Sequence, residues 1–233
     1  MKNHYLILGE GRLSTELCKQ TNWDYVSMEK DGIDFTVPNS YKPYVKEYPI
    51  IINCIACTDT KLNKKEPHWG VNYIGVIDLV NMCNEFGSKL IQISSDYIYA
   101  NAVSNATEED VPVHLNSWYC YTKLLADGYV QAKSLNYLLI RTSFKLKPYP
   151  WDNAWIDILC NADYVDIITD MVIKLIKSDA TGVYNVGTEM KTFFDLAKQT
   201  APNCIPILDD HSFIRPHDVT MNLDKLKNKL NEI

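Results

Sequence analysis

No apolar run in the sequence approaches the roughly 20 residues needed to cross a bilayer, so no membrane-spanning helix is expected. The opening residues, MKNHYLILGEG, pass from an apolar run straight into glycines without a small-residue cleavage site, and no secretory leader is expected there. An excess of positive charge is missing too. Lys and Arg total 23 against 29 Asp and Glu, a net charge of -6, whereas a nucleic-acid binder shows a basic footprint. The one basic cluster, KLNKKE, reads as a solvated loop. Nor is there a disulfide framework: the seven cysteines are odd in number and scattered, several of them inside apolar runs such as IINCIAC. That pattern suits reduced, mostly buried thiols in a cytoplasm-like compartment. Repeats and low-complexity tracts are absent. What remains is a chain of 233 residues, 46% hydrophobic, long enough for one large domain or for one domain with a smaller appendage.

Short apolar runs alternate with longer helical patterns. HYLILG, DYVSM, PIIINCIA, KLIQIS, NYLLIRTS and GVYNVG are continuous in apolar character, as strands covered on both faces are. RLSTELCKQ, GVNYIGVIDLVNMCNEF and WYCYTKLLADGYVQAK between them repeat their apolar residues at helical spacing. This alternation predicts an α/β fold, a doubly wound parallel sheet. After Ser143 the texture changes to the proline- and tryptophan-rich FKLKPYPWDNAW. We therefore expect a dinucleotide-binding domain over 1–143 and a small C-terminal α/β region over 144–233. Residues from about 163 to 187 of that region are expected to pack back on the sheet.

LILGEGRLSTEL places a strand, then Gly9-x-Gly11-x-x-Ser14, then a helix. Glycines permit a tight turn and close backbone approach, and the helix N-terminus offers free N–H groups to a pyrophosphate. Serine at the third position is small enough for the helix to lie near the sheet. Glu29 stands 20 positions after Gly9, where a carboxylate would accept from a ribose 2′-hydroxyl. It would repel a 2′-phosphate, which favours NAD(H) slightly over NADP(H), although Arg12 and Lys30 could tolerate the latter.

In NSWYCYTKLLADGYV, Tyr119 and Lys123 are four apart and share one helix face, while Tyr121 points about 160° away from the lysine. An ammonium and a cationic nicotinamide nearby would lower a phenol's pKa and make it a proton shuttle. LIQISSDYIY, a strand ending in Ser94-Ser95-Asp96, could set the Ser95 hydroxyl on the same substrate oxygen, because ligands of such sheets bind at the carboxyl ends of the strands.

With these motifs in order, the chain resembles the extended short-chain dehydrogenase/reductases, and within them most closely the dTDP-4-dehydrorhamnose reductases. The likeness runs through LGEGRLS, GIDFTVP, IINCIACT, VNYIGVIDLVNMC, LIQISSDYIYA, TEEDVPVHLNSWYCYTKLLAD, YLLIRTSF, GVYNVG and IRPHDVTMNLDKL. It implies a Rossmann-like sheet and a Ser95, Tyr119, Lys123 triad. It also implies Gly9, Gly11, Arg12 and Leu13 at the pyrophosphate, Glu29 at the ribose, Asp34 and Phe35 by the adenine, and Cys54, Ile55 and Ala56 along the cofactor. Ser95, Asp96 and Phe144 would meet the sugar. The implied activity is NAD(P)H-dependent reduction of a nucleotide-linked 4-keto-6-deoxy sugar by a cytoplasmic enzyme, with a homodimer one expectation and no metal. Two rivals stay open: a nucleotide-sugar epimerase, and a non-catalytic dinucleotide-binding subunit similar to the regulatory β subunit of methionine adenosyltransferase. Asp96 is followed by Tyr97 in place of the glutamate of related dehydratases, which argues against dehydration. The chain departs from the family in a glycine loop one residue shorter, in Thr60-Lys61 where Val-Asp is usual, and in a much shorter segment between RTSF and GVYNVG.

Other features have plainer readings. Cys54 and Cys57 form a Cys-x-x-Cys at a strand end without partner ligands and read as loop packing. Asn72 is either a surface residue or the family's support behind the active site. Arg215 in FIRPHD meets a substrate phosphate or is a solvated loop arginine. Trp151 and Trp155 read as staples of the second region, and His4, His68, His114, His211 and His217 show no ligand spacing.

Overall fold

Each of the six apolar runs forms a strand, and all six join one parallel sheet. The computed structural model describes residues 4–62, 64–100, 104–110, 117–212 and 215–232. Its strands are β1 (Tyr5–Leu8), β2 (Asp24–Val26), β3 (Ile50–Asn53), β4 (Lys89–Ile93), β5 (Tyr137–Thr142), four short ones, β6 (Phe144–Lys145), β7 (Asn153–Trp155), β8 (Leu159–Cys160) and β9 (Asp163–Tyr164), then β10 (Gly182–Val186), β11 (Lys191–Thr192) and β12 (Ile205–Ile207). The main sheet has the order β10-β5-β4-β3-β1-β2. The chain steps outward from β1 to β2 and then crosses to β3 on the other side. The crevice where strand order reverses therefore lies at the carboxyl ends of β1 and β3. The fuller Rossmann order carries one more strand outside β2. Among the described residues the chain between β2 and β3 forms only short helices, α2 (Met28–Asp31) and α3 (Pro38–Val45), which follow α1 (Arg12–Gln20).

The remaining helices are α4 (Lys65–His68), which runs through a π-helical turn (Trp69–Ile74) into α5 (Gly75–Phe86), then α6 (Trp118–Lys133), α7 (Val165–Lys177), α8 (Phe193–Lys198) and α9 (Asp224–Asn231). Alternation along β1 sends Leu6 and Leu8 into one apolar layer with Val76, Leu79, Ala126 and Val130 of α5 and α6. Ile7 enters the opposite layer with Leu13 and Leu17 of α1 and Ile168 and Val172 of α7. Two covered faces are why the strand sequences read as unbroken apolar runs. β10 closes one edge in register with β5, Gly182 opposite Leu138 and Val186 opposite Thr142. A third apolar cluster, with Tyr149, Ile158, Tyr164, Phe193 and Leu196, gathers the chain beyond β6. No described helix is long and apolar enough to cross a membrane.

Two glycines separate close packing from conformational entropy. A Cβ on Gly75 would lie 2.6 Å from Phe35 Cδ1 and 2.9 Å from the Phe35 carbonyl oxygen, whereas one on Gly128 in α6 would meet nothing within 4 Å. Gly75→Ala is expected to destabilise by about 1–3 kcal/mol through overpacking, and Gly128→Ala to stabilise by about 0.5–1 kcal/mol. Urea unfolding midpoints of the two variants check this, and shifts of the same sign would contradict it.

Candidate functional site

The carboxyl ends of β1, β3 and β4 are tied by polar groups that the sheet alone would leave unsatisfied. Asn53 at the end of β3 is fully buried. Its Nδ2 donates to Gln92 Oε1 at 2.9 Å, and its Oδ1 accepts from the Ile55 amide at 3.1 Å. This bends the chain after β3 toward Gly9, which has φ +107° and would drive a Cβ to 2.9 Å from Ile55 Cγ1. Gly11 is different. It caps α1 without a side-chain cap, and a Cβ there would meet nothing within 4 Å, so the space above the helix N-terminus is open. Ser14, at the third glycine position, is fully buried and donates its hydroxyl to the Gly11 carbonyl at 2.9 Å. Leu13 is buried beside it, and Arg12 is exposed at the rim.

Two clefts flank this turn. One of about 570 Å³ is lined by Gly9, Glu10, Ser14, Tyr25, Glu29 and Lys30, and one of about 630 Å³ by Gly11, Arg12, Lys147 and Asp166 among others. Glu29 sits in the first turn of α2, three residues past β2, with an exposed carboxylate. The open space at Gly11, the uncapped helix and the acid beside Gly9 fit a dinucleotide. The Phe35 side chain is buried in the apolar layer against Tyr41, ring centroids 5.1 Å apart. The Asp34 carboxylate accepts from Thr36 N (2.9 Å) and Thr36 Oγ1 (2.7 Å), which holds its pKa below the usual range.

Cys54, Ile55 and Ala56 are half-buried on the loop after β3. Burial pushes the Cys54 thiol up to about 12, which leaves it a packing group and no nucleophile. Asn72 grips the far end of this loop from the π-helical turn: its Oδ1 accepts from Cys57 N (2.8 Å) and its Nδ2 donates to Cys57 O (3.0 Å). Asn72 is thus a buried brace with no surface role. Extra turns of this kind recur at functional sites.

Ser95 follows β4 and caps the short 3-10 turn Asp96–Tyr99, accepting from Tyr97 N at 3.1 Å. Its hydroxyl donates to Asp96 Oδ1 at 3.2 Å and is near enough to the Tyr119 phenol to act on its pKa. Tyr119 also meets the rings of Tyr97 and His68 edge-on, at centroid distances of 5.9 and 6.2 Å. Tyr121 instead packs toward Trp118 at 6.1 Å. Lys123 is buried and donates from Nζ to the Ile93 carbonyl at 2.9 Å. The expected lowering of the tyrosine pKa rests on a cationic nicotinamide as well as the ammonium; the protein's own groups act in the other direction. Crowding by protein raises the Tyr119 pKa well above that of a free phenol; the Ser95 hydroxyl opposes this, and the Asp96 charge adds to it. Lys123 is shifted down by its own burial, against the pull of Asp127 and Cys54.

Several groups around the site were not legible beforehand. Asp127, another turn along the same face of α6, accepts from Ser94 Oγ (2.5 Å) and Arg141 Nε (3.1 Å), all of them buried. The spacing Tyr119, Lys123, Asp127, and an arginine inside the apolar YLLIRTS, were the available signals. Phe144, half-buried on β6, precedes Lys145, whose pKa is lowered chiefly by burial and which feels the charges of Asp96 and Arg12. Arg215 is not a solvated loop residue. It is buried, stacks on Trp155 at 4.3 Å and pairs with Asp209 at 3.2 Å, because the indole and the carboxylate together replace its hydration. His114 lies outside the described residues.

Comparison with known proteins places this geometry in a lineage. Residues 3–153 match the model of the family described as RmlD substrate binding domain. A dTDP-4-dehydrorhamnose reductase of Mycolicibacterium smegmatis is 26% identical over 141 residues, 58% of this chain and 42% of that protein. The spore coat polysaccharide biosynthesis protein SpsK of Bacillus subtilis is 24% identical over 141 residues, 58% of this chain and 50% of its own length. The chain spans about half the length of the curated relatives it matches. Among solved structures, dTDP-4-dehydrorhamnose reductase from Bacillus anthracis in complex with NADP superposes with a TM-score of 0.83 at 22% identity, covering 98% of this chain and 92% of that one. That likeness carries the fold: an α/β protein with a parallel, Rossmann-like central sheet.

Asp96 yields a pH-dependent prediction. Burial raises its carboxyl to about 6, with Lys145 and the Ser95 and Ser143 hydroxyls pulling the other way, and Oδ2 has no hydrogen-bond partner. The folded state therefore holds this proton more tightly than the unfolded chain, whose carboxyl titrates near about 4. Stability from this group is complete below pH 4 and lost as pH rises from 4 to 6. Asp96→Asn is expected to stabilise at pH 8, on the order of 2 kcal/mol, and to change little at pH 3.5. Denaturant unfolding at the two pH values checks it; an equal change at both would refute it.

Proposed function

Because the chain belongs to the RmlD substrate binding domain family, we propose that it is an NAD(P)H-dependent reductase of a nucleotide-linked 4-keto-6-deoxy sugar. The observation that carries this reading is the placement of the Tyr119 phenol where it feels the Ser95 hydroxyl at the carboxyl end of β4, one helical turn from the buried ammonium of Lys123. Gly9, Gly11, Arg12 and Leu13 receive the pyrophosphate at the start of α1, Glu29 takes the ribose hydroxyls, and the backbone at Asp34 and Phe35 borders the adenine. Cys54, Ile55 and Ala56, on a loop pinned by Asn72, border the nicotinamide, which when bound supplies hydride. NAD(H) is slightly favoured by the Glu29 carboxylate.

Ser95 orients the ketone oxygen and Tyr119 protonates it. The raised pKa of the free protein keeps the phenol protonated at neutral pH, so it starts each turnover as a donor. Lys123 then lowers the cost of the phenolate left behind. Asp96 and Phe144 contact the sugar, and the parts of residues 144–233 outside α7 and β10, which belong to the main sheet and its cover, form the region that holds it. Seven free cysteines agree with work in a reducing, cytoplasm-like compartment.

Titrating the protein with NADH and NADPH, then screening dTDP- and UDP-linked 4-keto sugars for loss of the reduced-nicotinamide absorbance, tests the reading. Binding of either dinucleotide without turnover on any keto-sugar would overturn it. Tyr119→Phe is expected to lower kcat by about 10²–10⁴-fold, the usual contribution of a positioned general acid, while Tyr121→Phe leaves it within a few-fold. Comparable activity of the two variants would remove Tyr119 from the mechanism.

A further inference from the structure

Away from the glycine turn, the chain between β12 and α9 brings together three side chains that the proposed reduction does not use. Asp209, His211 and His217 each present one ligand atom, and the three atoms lie within 4.8 Å of one another. Asp209 is the interior member, with a side chain only 1% exposed, while His211 and His217 are 75% and 44% exposed. The Asp209 oxygens face opposite tasks. Oδ1 accepts from the His211 amide at 3.2 Å and pairs with Arg215 Nη1 at 3.2 Å. Oδ2 is buried with no hydrogen-bond partner, although His217 Nε2 stands 3.2 Å from it and His211 Nδ1 3.4 Å. Two ring nitrogens thus crowd a buried carboxylate oxygen without meeting it in hydrogen-bonding geometry.

A buried carboxylate oxygen left unsatisfied is costly, and a cation between the three atoms would satisfy it. Zinc holds imidazole nitrogen and carboxylate oxygen at about 2.0–2.2 Å, so neighbouring ligand atoms in a tetrahedral shell stand about 3.3 Å apart. The two Asp209–histidine separations match that edge. We propose that Asp209, His211 and His217 form a binding site for a divalent transition cation of the zinc class. Two imidazoles and one carboxylate select such ions over magnesium or calcium, which prefer all-oxygen shells. The remaining coordination positions open toward solvent on the histidine side.

The site has a neighbour that gives it a consequence. The carboxylate that would hold the cation also holds Arg215, and Arg215 stacks on Trp155 and reaches with its charge toward Tyr97, whose ring lies 5.9 Å from that of Tyr119. A bound cation would clip Asp209 to His217 and fasten the backbone that carries this arginine. The proposal is independent of which substrate the Tyr119 site reduces.

The test uses the full chain without an affinity tag, stripped with a chelator and titrated with Zn²⁺ by calorimetry and with Co²⁺ by visible absorption. One equivalent is expected to bind with a Kd in the micromolar range or tighter. The melting temperature should rise as free Zn²⁺ passes Kd, as for any ligand of the folded state. His211→Ala and His217→Ala, both at exposed positions, should each weaken that equivalent at least 10-fold while the apo variants melt within a few degrees of the apo parent. Asp209→Asn should also lose the site, and the two histidine variants keep the test readable if the asparagine variant folds poorly. Absence of binding would overturn the proposal. So would an equivalent that persists in both histidine variants, since the cation would then reside elsewhere, on the cysteines for example.

Discussion

The Asp127–Arg141 ion pair fixes the rotation of α6, and the rest of the site follows from that rotation. Asp127 is anchored from two directions, by Ser94 Oγ on the loop after β4 and by Arg141 Nε on β5. Arg141 in turn donates to the Tyr99 phenol at 2.6 Å, and Tyr99 donates to Asn185 Oδ1 on β10 at 2.9 Å. The chain of contacts therefore crosses from helix to loop to two strands. Removing one partner of such a buried pair leaves an uncompensated charge, which generally costs about 3–5 kcal/mol. A helix held this firmly at one face must present the residues one and two turns back along it to the same crevice. Those residues are Lys123 and Tyr119.

The same burial that holds the helix also sets the protonation of the site. A phenol packed among Ser95, Tyr97 and His68, near the Asp96 carboxyl, pays heavily for negative charge. Lys123 is buried as well and is held by the Ile93 carbonyl. Without a further positive charge the site favours a neutral tyrosine. For the proposed reduction, that is the state from which a ketone oxygen would be protonated, and it gives the constellation a direction that the mere spacing of Tyr119 and Lys123 does not.

Most of this frame could be read from residue patterns, and the exceptions share a cause. The six strands and the span of α6 were legible because burial on two faces leaves a local mark, as apolar runs and helical periodicity. Helix geometry alone separated Tyr119 from Tyr121, whose ring packs on Trp118. What escaped depends on partners distant in sequence. The burial of Phe35 against Gly75 and Tyr41 escaped because it joins three separate segments. Arg215 looked solvated because neither Trp155 nor Asp209 adjoins it in the chain. The enclosure that raises the Tyr119 pKa in the protein alone escaped similarly, since four-residue spacing shows where an ammonium could stand and says nothing of what packs around the phenol.

The chain beyond β5 is packed around an apolar cluster of its own. Its apolar cluster includes Tyr164, Phe193 and Leu196, and a buried ion pair between Lys191 and Asp163 at 2.9 Å joins β11 to β9. β9 pairs with β6 in register, Asp163 opposite Phe144 and Tyr164 opposite Lys145. That pairing carries the order of the distal cluster directly to the two residues that follow β5 into the crevice. Lys145 Nζ is then held 4.4 Å over the Phe193 ring and within reach of the Asp96 charge. A small region can act on a site in this way without covering much of it, because what it supplies is the fixed position of one cation whose charge reaches Asp96.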